Sequence, residues 1–183
     1  MIAFVLVIEF LHQAEPESDY SLLCDGFDMQ IHLEGPINDP KSADVCETIL
    51  RALPDWFGME EAILHYIKVT PERPTLISWD GESPVGFLSI LQHNPYSAEI
   101  YVMGVLPAYH RCGIGRALVQ AAEVFLREAG IEYLQVKTLA PTHPDPHYAR
   151  TRAFYQAIGF RPLEIFPTLW NEENPCLVLV KKL

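Results

Sequence analysis

The sequence has few basic residues, and this scarcity excludes one large class of partner. Thirteen Lys and Arg stand against 24 Asp and Glu among 183 residues, which gives a formal net charge of -11. Proteins that bind DNA or RNA carry a basic stripe or patch that neutralises phosphates, and none is visible along this chain. We therefore expect no nucleic-acid partner. An acidic surface weakly favours a cationic or amine-bearing partner instead.

Membrane-spanning runs and metal-binding cysteine patterns are also missing. Residues 1–11 (MIAFVLVIEFL) are strongly apolar, but they are shorter than the about 20 residues that span a bilayer and lack the charged start of a secretory signal. The four cysteines (Cys24, Cys46, Cys112 and Cys176) form no C-x-x-C pair, and no His/Cys cluster has zinc spacing. We predict reduced thiols, no metal site, no membrane association and a cytoplasmic location.

The N-terminal residues 1–28 are interpreted as an extension of unknown role. Their apolar start could form an extra strand, or it could be an artefact of start-site choice, because Met29 opens the sequence MQIHLEGP, which is typical of a first strand. The polar, acidic segment between them resembles a linker. Residues 29–183 are predicted to form one domain.

From Met29 onward the apolar pattern alternates between the periods of strands and helices. Residues 80–84 (DGESP) have the composition of a hairpin turn between two strands. Residues 113–129 form an amphipathic helix that Gly130 ends. The predicted order is β-α-α-β-β-β-α-β-α-β-β. It indicates an α/β fold of the α+β type, with a central mixed, mostly antiparallel sheet of about six or seven strands flanked by helices.

Residues 109–118, YHRCGIGRAL, place two glycines at the start of that helix. A helix N-terminus offers unpaired N–H groups and a partial positive charge, and glycines let a phosphate approach the backbone. Arg111 and Arg116 would add charged donors. A P-loop would need Gly-Lys-Ser/Thr, and the dinucleotide fingerprint would need a third glycine where Leu118 stands. The motif therefore predicts a pyrophosphate site, unless it is only a tight turn.

The surrounding sequence resembles the GNAT superfamily of acetyl-CoA-dependent N-acetyltransferases. The strand EIYVMGV precedes the glycine motif after a proline-containing turn, and FYQAIGF follows in the next helix. The likeness covers residues 29–183. It implies that acetyl-CoA is the cofactor, with coenzyme A as product, and that the strand splays from its neighbour. The implied cofactor-binding residues are Met103, Gly104 and Val105 for the pantetheine arm, and Arg111, Cys112, Gly113, Ile114, Gly115 and Arg116 for the pyrophosphate.

The first position of the glycine motif departs from the family pattern. The family has Gln or Arg there, whereas this chain has His110 followed by Arg111. A neutral imidazole donates one hydrogen bond and is cationic only below a pKa of about 6.5. Either His110 contacts the cofactor with less charge, or Arg111 replaces it, or His110 is a solvated turn residue.

The resemblance also implies two catalytic residues. Tyr155 matches the family tyrosine that lies near the coenzyme sulfur and would protonate it. Glu99 matches the glutamate that acts as base in the histone-acetylating branch, although a charged residue at the start of a strand needs no such role. A family Asn that touches the cofactor arm is replaced by Tyr148 here, and Thr151 or Arg152 could take its place.

The acceptor side of the site is poorly marked. Trp56, Phe57 and Glu60 lie where the family's acceptor cleft tends to form, and aromatic rings with carboxylates could hold an alkylammonium group. Packing explains the two tryptophans Trp56 and Trp170 equally well. His143, Asp145 and His147 lack an obvious third metal ligand, so metal binding is not expected.

The sequence thus predicts an enzyme that transfers acetyl from acetyl-CoA to an amine, either a small molecule or a peptide. The alternative is a non-catalytic coenzyme A-binding sensor or regulatory module of the same fold. Either protein could be a monomer or a homodimer.

Overall fold

The computed structural model describes residues 18–24 and 27–183. Its strands are β1 (Ser18–Cys24), β2 (Phe27–Ile37), β3 (Thr75–Asp80), β4 (Ser83–Asn94), β5 (Ser97–Val105), β6 (Tyr133–Leu139), β7 (Arg161–Asn171) and β8 (Asn174–Lys182). Its helices are α1 (Lys41–Arg51), α2 (Glu60–Val69), α3 (Ile114–Glu128) and α4 (Pro146–Ala157). No helix in this part of the chain is both long and apolar enough to cross a membrane.

All eight strands belong to one sheet, in the order β1-β2-β3-β4-β5-β6-β8-β7. Every neighbouring pair is antiparallel except β5 and β6, which are parallel because α3 carries the chain back between them. The β3–β4 hairpin turns at Gly81, whose φ of 57° lies in the left-handed region that glycine tolerates. The single parallel pair lies near the middle of the sheet.

Helices cover both faces of the sheet and define two cores. On one face, α3 and α4 pack side chains such as Leu118 and Tyr155 against the sheet. On the other, α1 and α2 contribute Ile49 and Ile63. Gly86 in β4 lets α3 lie close, since a Cβ there would stand 3.2 Å from Ile114 Cγ2.

The predicted fold class is confirmed, with one strand more than expected. Strand β1 pairs with β2 along its length, so residues 18–24 extend the same sheet. The predicted domain boundary at residue 28 falls inside β2, and the domain division stays a prediction. The idea of a strand in residues 1–11 lies outside the described residues. Trp170 lies within β7.

Candidate active site

The parallel pairing of β5 and β6 ends early and opens a groove. β5 pairs with β6 only over Ser97–Ile100, although it pairs with β4 as far as Val105. Beyond Ile100, β6 continues on β8 alone. The stretch 101–105 of β5 therefore has no partner strand on its β6 side in the described chain. This confirms the splay that the family resemblance implied.

A register shift in β5 sets which side chains face the groove. Ser89 pairs with Val102 and Ile90 with Ile100, so Tyr101 is the extra residue of a bulge. The bulge puts Met103 on the α3 face together with Ile100, and leaves Tyr101 on the α1 face. One strand thus supplies both faces of the site.

The groove is part of a cleft of about 770 Å³ that has two halves. The α3-side half is formed by the glycine loop together with Met103, Phe154 and Tyr155. The α1-side half has mainly aromatic walls. Its lining side chains, which pack against the α1/α2 core, are Leu53, Trp56, Phe57, Tyr66 and Tyr101.

The glycine loop holds two residues with left-handed backbone before α3 begins at Ile114. Gly113 has φ 86° and Arg111 has φ 69°. Only glycine adopts this region at little cost, which explains the first glycine of the motif. Arg111 and Arg116 are exposed and line the cleft beside the helix N-terminus.

The second glycine of the motif is needed for packing. A Cβ on Gly115 would lie 3.1 Å from Met103 Cε and 3.3 Å from Phe154 Cζ. These contacts are tighter than ordinary van der Waals separations, so a side chain here would push into the α3-side half of the cleft. Gly115 therefore preserves the space between β5, α3 and α4. Gly104 lets α1 lie close to β5 on the other face, because a Cβ there would stand 2.8 Å from Ile49 Cγ2.

His110 ties the glycine loop to the end of β5. Its Nε2 lies 2.8 Å from the Val105 carbonyl oxygen. A carbonyl only accepts, so Nε2 carries the proton and donates. The ring also meets Trp56 edge-on, with 5.7 Å between centroids. His110 thus contacts the protein itself in this structure, whereas the Arg111 side chain is not engaged in any described ion pair.

Tyr155 is buried at the floor of the α3-side half. Its ring packs against Phe154 and Phe160, and its hydroxyl lies 3.9 Å from Met103 Sδ, a weak acceptor. Burial raises the pKa of this phenol well above its usual value. The hydroxyl therefore stays protonated and keeps its donor for a ligand.

Glu99 lies beside the cleft and does not line it. Its side chain is 3% exposed, and Oε2 accepts from Lys137 Nζ at 2.6 Å, His93 Nε2 at 2.7 Å and Gln135 Nε2 at 3.3 Å. The Lys137 side chain does line the cleft. The predicted base is thus the buried centre of a polar cluster, and Lys137 is the member of that cluster that reaches the site.

Two of the three predicted substrate residues line the cleft, and the third does not. Trp56 and Phe57 line the cleft. Glu60 does not: it is exposed and forms a two-point ion pair with Arg51, at 3.0 and 2.9 Å. The Arg51 guanidinium holds the pKa of the Glu60 carboxyl below its usual value. Glu60 is therefore a surface residue in this structure.

Trp56 links the α1–α2 loop to α4 across the cleft. Its Nε1 donates to Thr151 Oγ1 at 3.1 Å, and its carbonyl accepts from the Tyr148 hydroxyl at 2.7 Å. Its ring meets His147 at 4.8 Å. Thr151, suggested as a cofactor contact, and Tyr148, which replaces the family Asn, therefore hold this loop in place as well as lining the cleft. Arg152 donates to the Leu139 carbonyl instead and does not line it.

Cys112 differs from its predicted redox state. It is buried and is not one of the described residues that line the cleft, so only its backbone belongs to the glycine loop. It is also disulfide-bonded, which contradicts the reduced thiol expected from the sequence. Cys46 and Cys176 are free and buried, as that interpretation required.

The cleft residues that were not predicted from the sequence include Tyr66, Tyr101, Lys137 and Arg150. Lys137 follows the core residue Val136 in a strand, so alternation alone places it on the α1 face. A prediction that β6 lies beside Glu99 would have identified Lys137 as a site residue. Tyr66 and Arg150 come from helices and carry no local signal.

Comparison with known proteins shows which family this chain matches. The model of the acetyltransferase (GNAT) family matches residues 43–160. A mycothiol acetyltransferase of Corynebacterium glutamicum is 35% identical over 93 residues, which are 51% of this chain and 30% of that protein. The chain thus matches less than a third of the length of this curated relative.

Solved structures share the fold at low sequence identity. A GNAT-family protein from Desulfovibrio desulfuricans superposes with a TM-score of 0.72 at 16% identity, covering 83% of this chain and 98% of that one. The PaiA N-acetyltransferase of Thermoplasma acidophilum, solved with coenzyme A, has a TM-score of 0.66 at 16% identity, covering 85% and 100%.

Proposed function

Because this chain belongs to the GNAT acetyltransferase family, we propose that it transfers an acetyl group from acetyl-CoA to an amine by direct attack in a ternary complex. The amine nitrogen would bond to the thioester carbonyl carbon, and the resulting intermediate would release the coenzyme A sulfur. The nitrogen loses one proton as the amide forms, and the sulfur gains one. No covalent acyl-enzyme is required.

The observation that carries this proposal is the convergence of three features in one cleft. The unpaired edge of β5, the N-terminus of α3 and the buried hydroxyl of Tyr155 all line it. A chain of amides with a diphosphate at one end matches an extended strand edge followed by a helix N-terminus. Arg111 and Arg116 would pair with the diphosphate, and Met103, Gly104 and Val105 would contact the amide arm.

Tyr155 is proposed to protonate the departing sulfur. Its phenol is weakly acidic because burial raises its pKa, so transfer would have to accompany C–S cleavage rather than precede it. The described residues offer this buried hydroxyl no stronger acceptor than Met103 Sδ, so it can donate to a developing thiolate.

Glu99 was predicted to be the base, and its contacts support a second role that we favour. Oε2 already accepts hydrogen bonds from Lys137, His93 and Gln135, so this carboxylate is engaged inside the protein and does not face the cleft. A buried carboxylate also fixes the lysine that it pairs with. We therefore propose that Glu99 positions Lys137 in the cleft, with direct base catalysis as the alternative.

The test is thiol release from acetyl-CoA with a panel of amines, comparing the wild type with Tyr155→Phe. We expect kcat to fall about 100-fold, a typical contribution of a general acid, with coenzyme A affinity retained by calorimetry. Tyr133→Phe is the matched control, since Tyr133 is exposed at the start of β6 and does not line the cleft. Unchanged turnover in Tyr155→Phe would remove the acid assignment.

The same pair of measurements separates the enzyme from a non-catalytic sensor. Coenzyme A binding without thiol release for any amine would identify a binding module. The curated relatives are mycothiol acetyltransferases, which supports acetyl transfer as the reaction class. Their acceptor is not carried over, because the match covers 30% of that protein.

A further inference from the structure

The charge inside the cleft is opposite to the charge of the protein. Four cationic side chains line it, those of Arg111, Arg116, Lys137 and Arg150. Among the described residues that line the cleft, none is Asp or Glu, although the chain as a whole has a net charge of -11. A site that binds a polycationic acceptor needs carboxylates facing it.

Lys137 is the cation that belongs to the α1-side half. Val136 points into the α3-face core, so its neighbour Lys137 points to the α1 face. Its partner Glu99 lies on that face for the same reason, next to Ile100. Lys137 remains 27% exposed while Glu99 is 3% exposed. An ammonium group has three donors, and the Glu99 contact at 2.6 Å uses one.

The nearby carboxylates outside the cleft do not change this balance. Glu60 is paired with Arg51, and Asp80 accepts from the Tyr109 hydroxyl. Asp55 lies at the outer end, 3.6 Å from His147 Nδ1, and is largely exposed. Glu60 is neutralised by a cation and Asp55 is surrounded by water, so the field of each in the cleft is screened.

The walls of the same half are aromatic. Trp56, Phe57, Tyr66 and Tyr101 line it, and Tyr66 contacts both Phe57 and Tyr101 edge-to-face, at 6.2 and 5.6 Å. Burial raises the pKa of Tyr66 to about 12, so this wall is uncharged at neutral pH. Such walls favour a planar apolar group.

We propose that the acceptor is an amine that carries both a planar apolar group and a carboxylate, as aromatic amino acids do, and that it is not a polyamine or an aminoglycoside. This rests on the proposed function. The carboxylate would accept from Lys137, and the ring would pack among Trp56, Phe57 and Tyr66. Glu99 acts through Lys137 and is a positioning residue for this selection.

Matched acceptor pairs test the proposal. Thiol release is compared for free tryptophan against tryptamine and for phenylalanine against phenethylamine, with spermidine and kanamycin as polycations. We expect kcat/KM to be about tenfold or more higher for each carboxylate, the range of one charge-assisted hydrogen bond. Equal values for the two members, or a preference for tryptamine or spermidine, would overturn the proposal.

Variants of Lys137 identify the source of the preference. Lys137→Met should abolish the difference within each pair by raising KM for the amino acid, while KM for acetyl-CoA is unchanged. Lys137→Arg, which retains the charge, should restore most of the difference.

A Glu99→Gln/Lys137→Met double variant removes both charges in case the single change leaves Glu99 unpaired and destabilises the fold. Lys68→Met, on the exposed face of α2, is the control. An unchanged preference in a folded Lys137→Met variant would overturn the proposal.

A binding measurement separates this proposal from the proposed function. Calorimetry on the coenzyme A-loaded protein compares free tryptophan with tryptamine in the absence of turnover. Tighter binding of tryptophan without thiol release would support the ligand class and contradict the proposed acetyl transfer. Thiol release with tryptamine preferred would support acetyl transfer and contradict the ligand class.

Discussion

The two halves of the cleft are built in different ways. The α3-side half consists largely of backbone: a strand edge, a helix N-terminus and two glycines that keep side chains away. The α1-side half consists of side chains from separate elements, with Lys137 held by a buried carboxylate. The first half depends on a local sequence motif and suits a ligand shared by many enzymes. The second depends on tertiary packing and suits a ligand particular to this chain.

Trp56→Ala should have the largest effect, because Trp56 contacts both halves of the cleft. It bonds to Thr151 and contacts His110 and His147. We expect KM to rise for both acetyl-CoA and the amine, and the free energy of unfolding to fall by about 2 kcal/mol for a half-buried tryptophan. Initial rates and thermal unfolding measure both. A rise in only one KM would show that the halves do not share this residue.

Glu99→Gln should affect the α1-side half alone. With the charge removed, Lys137 loses its anchor, and we expect the amine KM to rise about tenfold with the pH profile of kcat unchanged in shape. The readout is kcat and KM from pH 6 to pH 9. A fall in kcat of about 100-fold with loss of the acidic limb would instead make Glu99 the base.

Arg111→Gly should affect the α3-side half and separate stability from binding. Arg111 is held at φ 69°, which glycine adopts without strain, so we expect a gain of about 1 kcal/mol in unfolding free energy. Coenzyme A affinity should fall about tenfold through the lost charged donor. Arg116→Ala is the control, because Arg116 is helical and its loss should weaken binding without stabilising the fold. A lower free energy of unfolding in Arg111→Gly than in the wild type would contradict backbone strain at Arg111.

His110→Gln should give the smallest change. The His110 Nε2 donates to the Val105 carbonyl, and a glutamine amide can also donate. We expect coenzyme A affinity to change by less than about tenfold, the range of one neutral hydrogen bond, as measured by calorimetry. A loss of 100-fold or more would mean that the imidazole itself contacts the cofactor.

The contrast also explains what could be predicted from the sequence. The order of elements and the loop at Gly113 follow from hydrophobic period and glycine position, which are local. The parallel β5–β6 pair places Lys137 beside Glu99 across 38 residues, and no local pattern encodes that contact. Glu60 was misplaced for the same reason, since its pairing with Arg51 depends on how α1 and α2 meet. The extra strand β1 lacked a clear alternation and was interpreted as a linker.

The early end of the β5–β6 pairing has a consequence for the protein before any reaction occurs. From Tyr101 to Val105, one side of this central strand lacks a partner strand among the described residues, although such strands are usually paired on both sides. An acetyl-CoA arm lying there would serve as the missing neighbour, and ligand at 100 times its dissociation constant adds about 2.7 kcal/mol to the folded state. The lifetime of this chain against proteolysis should therefore follow the concentration of coenzyme A around it.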